Sequence, residues 1–195
     1  MSDHNQIPER SNIVDFICEI FYRRGREEYL GEAVTMEQHM LQAAYFAEQD
    51  KQPEVVVVAA LLHDIGHFTS EFGAYSPDDT KDKYHEIAGA EILQEYFPGL
   101  ISDCARYHVA AKRYLCATQP EYFDRLSDAS IHTLELQGGP MTAAEVEEFE
   151  RQPNLEKIIK VRHYDEAGKI ADFKTPPLSH YEPMMRRQVA TGTAV

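Results

Sequence analysis

The sequence predicts an all-α fold that forms a single domain. Apolar residues recur at intervals of three and four along most of the 195-residue chain, which is the period of an amphipathic helix. No segment alternates apolar and polar residues as a half-buried strand does. No repeat, low-complexity tract or long linker divides the chain, and its length fits one domain. We therefore expect about seven or eight helices in one domain over 1–195, with a core between about 13 and 185.

The first helices are marked by their apolar stripes and their termini. An apolar stripe over 13–21 predicts the first helix. Thr35, with Gln38 three residues later, forms a capping-box start for a helix that reaches about Gln49. A proline then opens a third helix, which carries the continuous apolar run Val55–Leu62. Because this run is apolar on every face, we expect this helix to lie in the core.

The second half of the chain alternates helices with breaks. An irregular stretch, Thr69–Asp82, predicts a long loop of the kind that often covers a site. Thr142, with Glu145, forms a second capping box. The tail contains Pro176, Pro177 and Pro183, so we expect it to be mostly irregular. The remaining predicted helices run from about Asp82 to Tyr96, Leu100 to Ala117, Glu121 to Leu136 and Pro153 to Glu166.

Composition excludes several classes of protein. The 33 acidic and 19 basic residues give a formal net charge of −14, which argues against non-specific nucleic-acid binding. No apolar run approaches the ~20 residues that span a membrane, so we expect no membrane partner. Three scattered cysteines fit a reducing cytoplasm better than a disulfide framework, and the first residues lack the pattern of a signal peptide.

Ionisable side chains lie on helix faces that should be buried. A single histidine on an apolar face is more often a hydrogen-bonded core residue than a metal ligand, but here four imidazoles and two carboxylates on five helices point inward. Imidazole with carboxylate suits Fe, Mn or Zn rather than Ca or Mg, and spacing alone does not choose among them. Six ligands exceed what one catalytic metal needs and fit two metals. The set is His39, His63, Asp64, His85, His108 and Asp165.

Two cations share the faces of these candidate ligands. Lys112 lies one helical turn beyond His108, and Arg162 lies three residues before Asp165. Both should therefore point toward the metals. An arginine can grip an anion with a two-pronged fork, whereas a lysine provides a point charge.

At other polar positions, the residues alone do not decide between a role in the site and a structural role. Ser130 shares a stripe with Leu126 and Leu134, so it is either an inward hydroxyl or a small core residue. Gln137 is a weaker candidate of the same kind. The segment Tyr29–Glu32 fits an ordinary polar loop with one aromatic anchor.

The motifs together resemble the HD-domain superfamily, whose pattern is a His, a His-Asp pair and a distant Asp. His39, His63-Asp64 and Asp165 match that pattern, and the two further histidines, His85 and His108, resemble its dinuclear branch.

Three segments sharpen this resemblance to one group. They are Tyr29-Leu30-Gly31-Glu32, Leu61–His67, and His108 followed by Lys112-Arg113-Tyr114. These resemble the mixed-valent di-iron organophosphonate oxygenases of the superfamily, over roughly Ile13 to Met185.

The resemblance implies a single HD-domain helical bundle with a buried dinuclear site. Two iron ions, Fe(II)/Fe(III), would be held by the six ligands with Asp64 as the bridge, and O2 would be the co-substrate. Tyr29 matches a residue that occupies an iron position at rest and leaves when substrate binds, and Glu32 matches its partner on the same segment. The residues that match phosphonate contacts are His67, Lys112, Ser130 and Arg162.

The implied reaction is O2-dependent cleavage of the C–P bond of a 1-hydroxyphosphonate. The resemblance as a whole favours (R)-1-hydroxy-2-(trimethylammonio)ethylphosphonate, which gives glycine betaine and phosphate, over the 2-amino compound, which gives glycine. An upstream 2-oxoglutarate-dependent hydroxylase would supply either substrate. The alternatives are an HD-type metal-dependent phosphohydrolase, an inositol-type oxygenase that needs no phosphonate grip, and a metal-containing scaffold without catalysis.

Overall fold

The computed structural model describes residues 12–69 and 81–189, and within them the fold is all-α, as predicted. No β-strand occurs in these two ranges, where pairing is limited to an isolated bridge between Glu28 and Thr35. The described helices are α1 (Ile13–Arg24), α2 (Met36–Gln49), α3 (Glu54–Leu62), α4 (Gly66–Thr69), α5 (His85–Gln94), α6 (Gly99–Thr118), α7 (Pro120–Phe123), α8 (Asp128–Leu136), α9 (Ala143–Phe149), α10 (Leu155–Ala167) and α11 (Leu178–Gln188).

Helix α3 is the centre of the core. Its residues from Val56 to Leu62 are all buried, and the helix packs against α2, α6, α10 and α11. Neighbours on every side explain why this segment is apolar all round. The helix ends at Leu62, so the turn that follows brings His63 and Asp64 directly into the interior.

The predicted helix starts are largely confirmed. Both capping boxes form, at Thr35 for α2 and at Thr142 for α9. Pro53 caps α3, as expected for a residue whose missing N–H costs nothing at a helix start. Helix α10 begins two residues after Pro153, at Leu155.

Two predictions about the second half were wrong. The single helix expected from Glu121 to Leu136 is two helices, because Ser127 accepts a hydrogen bond from the Ser130 backbone N–H and starts α8 afresh. The tail is also not mostly irregular. It forms α11, which includes Pro183.

Burial explains the helix in the tail. Tyr181 and Met185 are both fully buried and anchor α11 against the rest of the bundle. This burial outweighs the cost of an internal proline, which sequence patterns count against a helix. The expected loop Thr69–Asp82 lies outside the described residues over 70–80. Among the described residues, no helix is long and apolar enough to cross a membrane, and the three cysteines are unpaired.

A close backbone contact fixes α5 beside the turn that follows α3. A Cβ atom built on Gly66 would lie 1.8 Å from the His85 carbonyl oxygen and 2.8 Å from the Gly89 backbone nitrogen. These neighbours are backbone atoms, so no side chain can move aside. Glycine at position 66 therefore allows the segment with His63 and Asp64 to approach the segment with His85.

We predict that Gly66→Ala lowers the free energy of unfolding by about 2 kcal/mol or more, because overpacked positions typically cost 1–3 kcal/mol. Gly99→Ala is the matched control, since nothing lies within 4 Å of a Cβ placed there. That variant should be neutral or slightly stabilising. Denaturant melts of both proteins test this prediction, and equal stabilities would contradict it.

Candidate metal centre

Four imidazoles and two carboxylates from separate parts of the bundle converge in its interior. The side chains come from α2, the turn after α3, the start of α5, the middle of α6 and the last turns of α10. The sequence grouped all six, and the structure brings all six together in the buried interior. They are His39, His63, Asp64, His85, His108 and Asp165.

The six side chains form two groups. In the first, the Nε2 atoms of His39 and His63 are 3.2 Å apart, and Asp165 Oδ1 lies 3.5 Å and 3.7 Å from them. In the second, the Nε2 atoms of His85 and His108 are 3.0 Å apart. Each group presents nitrogen and oxygen atoms to a common point, which suits one metal ion per group.

Asp64 lies between the two groups and offers one oxygen to each. Its Oδ2 is 3.4 Å from Nε2 of both His39 and His63. Its Oδ1 is 3.1 Å from His108 Nε2 and 3.4 Å from His85 Nε2. This is the arrangement required of a carboxylate that bridges two metal ions.

The other ring nitrogens fix which nitrogen faces the centre. Nδ1 of His39 bonds the Gly168 carbonyl at 3.0 Å, and Nδ1 of His63 bonds the Ala60 carbonyl at 2.8 Å. A carbonyl only accepts, so each Nδ1 must carry the proton and each Nε2 of a neutral ring must be a lone pair. Two lone pairs that face each other at 3.2 Å repel unless a cation lies between them.

Unsatisfied polar atoms point to the same conclusion. Among the described residues, Asp64 Oδ1, Asp165 Oδ1 and His67 Nε2 are buried and have no hydrogen-bond partner. Such groups are costly in a protein interior, because each has lost water without gaining a partner. Metal ions in the two groups would satisfy both carboxylate oxygens. The donor set therefore fits a dinuclear metal site.

His67 lies at the edge of the second group. Its ring stacks on His85 with 3.9 Å between centroids, and its Nε2 is 4.0 Å from Asp64 Oδ1. Burial lowers the pKa of His67 well below its ordinary value, which favours the neutral ring. A neutral ring at this place can serve either a metal ion or a ligand in the adjacent cavity.

A cavity that is open to solvent extends from the candidate metal centre. Its walls include both carboxylates Asp64 and Asp165 and six of the seven residues predicted to act on substrate; Glu32 is absent from the lining. These six are Tyr29, His67, Lys112, Ser130, Gln137 and Arg162.

Lys112 is a buried cation in the cavity wall. Its Nζ donates to Thr133 Oγ1 at 2.8 Å. Burial, together with the neighbouring charge of Arg162, lowers the pKa of Lys112 to about 7. An anion in the cavity would favour the charged form and raise this pKa.

Arg162 is more constrained than its spacing suggested. Its Nε donates to the Tyr122 hydroxyl at 2.7 Å, and its two Nη atoms donate to Asp165 Oδ2 and Glu166 Oε2. These bonds use three of its five N–H groups. Arg162 therefore holds Asp165 in place and has two N–H groups left for a ligand in the cavity.

The tyrosine and the glutamate of the segment Tyr29–Glu32 have different surroundings. Tyr29 is buried and stacks on His39 with 3.8 Å between ring centroids. Burial and the carboxylates of Asp64 and Asp165 raise its pKa well above the ordinary value. Glu32 instead accepts a hydrogen bond from Ser127 Oγ at 2.5 Å. Of these two residues, Tyr29 is the one that contacts a candidate metal ligand and lines the cavity.

Sequence reasoning missed several residues of the site. Glu166 and Lys169 follow Arg162 at intervals of four and seven, so extending that helix face would have found them. Tyr122 and Thr133, by contrast, reach Arg162 and Lys112 across the tertiary structure, and no local pattern marks them.

Curated relatives were found over most of the chain. A protein of Leisingera caerulea named [1-hydroxy-2-(trimethylamino)ethyl]phosphonate dioxygenase (glycine-betaine-forming) is 68% identical over 180 residues, which is 92% of both chains. A hydroxymethylphosphonate dioxygenase of Gimesia maris is 38% identical, over 86% of this chain and 84% of its own. A third relative, an uncharacterised protein of Acanthamoeba polyphaga mimivirus, is 32% identical, over 97% of this chain and 88% of its own.

The sequence profile described as HD domain matches residues 36–161. This range begins at the start of α2 and ends within α10, so it includes five of the six candidate ligands and stops four residues before Asp165. The helical bundle, the buried His/Asp groups and the two dioxygenase relatives agree with this match. The chain belongs to the HD domain family.

Proposed function

We propose that this protein cleaves the C–P bond of (R)-1-hydroxy-2-(trimethylammonio)ethylphosphonate with O2, giving glycine betaine and phosphate. The observation that carries the proposal is the two-sided placement of Asp64 between two His groups, beside a cavity lined with cations. The 68% identity to the relative of that name supports this choice of substrate. One O2 supplies both new oxygen atoms, one to the carboxylate and one to phosphate, so the reaction balances without an added reductant.

The proposed cofactor is a pair of iron ions, Fe(II)/Fe(III). His39, His63 and Asp165 would hold one ion, His85 and His108 the other, and Asp64 both. Iron supplies the activation of O2, which amino-acid side chains do not provide. Backbone carbonyls behind His39 and His63 would keep their Nε2 atoms aimed at the metals.

The phosphonate end would lie against the cationic wall of the cavity. Lys112 and the two remaining N–H groups of Arg162 would bind its oxygens, with Ser130 as a further donor. His67 would complete the pocket on the side of the second metal. Gln137 has a buried side-chain oxygen without a partner among the described residues, so a ligand group can satisfy it.

The cationic end of the substrate has a carboxylate nearby. Asp82 is partly buried and lines the same cavity as Lys112 and Arg162, and its neighbours Lys81 and Lys83 line the cavity too. Of the three charged residues that this segment adds to the wall, Asp82 is the one whose charge would attract the ammonium group.

Tyr29 would act as a gate at the metal centre. Its buried ring stacks on His39, and burial together with the nearby carboxylate of Asp64 raises the pKa of its hydroxyl well above the ordinary value. Substrate oxygens would displace the Tyr29 side chain. Glu32, which accepts a hydrogen bond from Ser127, would fix the other end of the segment Tyr29–Glu32 while Tyr29 moves. The 1-hydroxyl of the substrate implies an earlier hydroxylation, which we assign to a 2-oxoglutarate-dependent hydroxylase.

We predict that phosphate release from the trimethylammonio substrate requires O2 and consumes one O2 per phosphate. Oxygen-electrode and phosphate assays on the iron-loaded protein measure both quantities. The 2-amino compound should react more slowly. Phosphate release at full rate without O2 would indicate a phosphohydrolase instead, and faster turnover of the 2-amino compound would reverse the choice of substrate.

We predict that His63→Ala loses iron and reduces activity at least ~100-fold, because a first-group ligand is removed. His180→Ala is the matched control, since that imidazole is exposed, bonds Glu48 and belongs to neither candidate ligand group. Iron content and turnover of both variants test the assignment. A His63→Ala protein with full iron content would refute it.

We predict that Lys112→Met raises KM for the phosphonate by roughly 10- to 100-fold, the loss expected for one hydrogen bond to a charged group. Its iron content should stay unchanged, because Lys112 is not a proposed ligand. Lys174→Met removes an exposed lysine and serves as the control. An unchanged KM in Lys112→Met would exclude this residue from substrate binding.

A further inference from the structure

Lys169 is a buried cation that the proposed chemistry does not use directly. It lies just beyond α10 and is absent from the lining of the cavity, yet its side chain is only 10% exposed. Its Nζ donates to Ser130 Oγ at 2.7 Å and to Glu166 Oε1 at 3.0 Å, and it lies 3.8 Å from Glu32 Oε1. Lys169 thus joins three elements behind the cavity wall.

The bond to Ser130 determines the direction of the hydroxyl proton. An ammonium group has only donors, so Ser130 Oγ must accept from Lys169. The proton of Ser130 must then point elsewhere. Among the described residues, Ser130 Oγ donates to no acceptor, and Ser130 lines the cavity. The proton is therefore available to an acceptor inside the cavity.

The bond to Glu166 connects Lys169 to Arg162. One Glu166 oxygen accepts from Lys169, and the other accepts from an Nη atom of Arg162. Lys169 also offsets part of the negative charge of Glu166, so Glu166 neutralises less of the positive charge of Arg162. Both effects increase the attraction of the cavity for an anion.

The backbone near Lys169 is held by a close contact. A Cβ atom on Gly168 would lie 2.9 Å from the His39 carbonyl oxygen. The Gly168 carbonyl also accepts the hydrogen bond of His39 Nδ1. This contact fixes where the chain leaves α10, so the Lys169 side chain starts from a defined place.

We infer that Lys169 is a positioning residue for anion binding, which turns the Ser130 hydroxyl into a donor aimed at a phosphonate or phosphate oxygen in the cavity. The inference rests on the proposed function only for the identity of the substrate. The anion-binding geometry stands on the contacts of Lys169, Ser130 and Glu166.

The test is a double-mutant cycle on the iron-loaded protein without O2. Calorimetry measures binding of the trimethylammonio phosphonate, and of inorganic phosphate, to wild type, Lys169→Met, Ser130→Ala and the double variant. Each single variant should weaken binding roughly tenfold, and Lys169→Met should cost less affinity in the Ser130→Ala background than in wild type, because part of its effect acts through the Ser130 hydroxyl. Lys169→Arg keeps the donors and should restore most of the affinity.

The controls separate positioning from structural support. Lys157→Met removes a lysine from α10 that pairs with Glu156 at the surface, and it should bind like wild type. Iron content and melting temperature of Lys169→Met should match wild type, and their loss would assign the lysine to structural support and overturn the inference.

Three binding results would also overturn it. The first is an unchanged affinity of Lys169→Met. The second is an equal loss of affinity when Lys169→Met is introduced into wild type and into Ser130→Ala. The third is that wild type binds neither anion. Failure of the proposed function would give a different experimental result. In that case wild type binds the anion, the cycle still reports on Lys169, and no phosphate forms when O2 is admitted.

Discussion

The rest of the structure depends on the placement of the Asp64 carboxylate between two pairs of imidazoles. Its two oxygens face two separate pairs of imidazoles, so one side chain divides the interior into two ligand groups. Burying this carboxylate and Asp165 without positive charge would cost several kcal/mol. Arg162 already pairs with Asp165, and metal ions at the two groups would stabilise both carboxylates further, which would couple folding to metal binding.

The helices are arranged to bring these side chains together inside the core. Helix α3 is buried on every face and ends just before His63, so two candidate ligands directly follow the central helix of the core. The near contact of Gly66 with α5 then closes the second group around His85. Precise placement of the ligands thus comes from core packing, which tolerates little displacement.

Charge in this protein is separated between its surface and its interior. The chain carries a net charge of −14, but the cavity wall has Lys112 and Arg162, supported by Lys169. Much of the acidic excess lies on exposed stretches such as α9, where Glu147 and Glu148 face solvent. An acidic protein can therefore hold an anion, because local charge at a buried site outweighs screened surface charge.

The sequence by itself determined the helical class, the two capping boxes and the inward side of the six candidate ligands, because periodicity and cap residues act locally. Only the tertiary structure decided the rest. Burial of Tyr181 and Met185 makes a helix of the proline-rich tail, and the contact between Lys169 and Ser130 joins residues 39 positions apart. Such interactions have no local signature, since they depend on which surfaces meet when the helices pack.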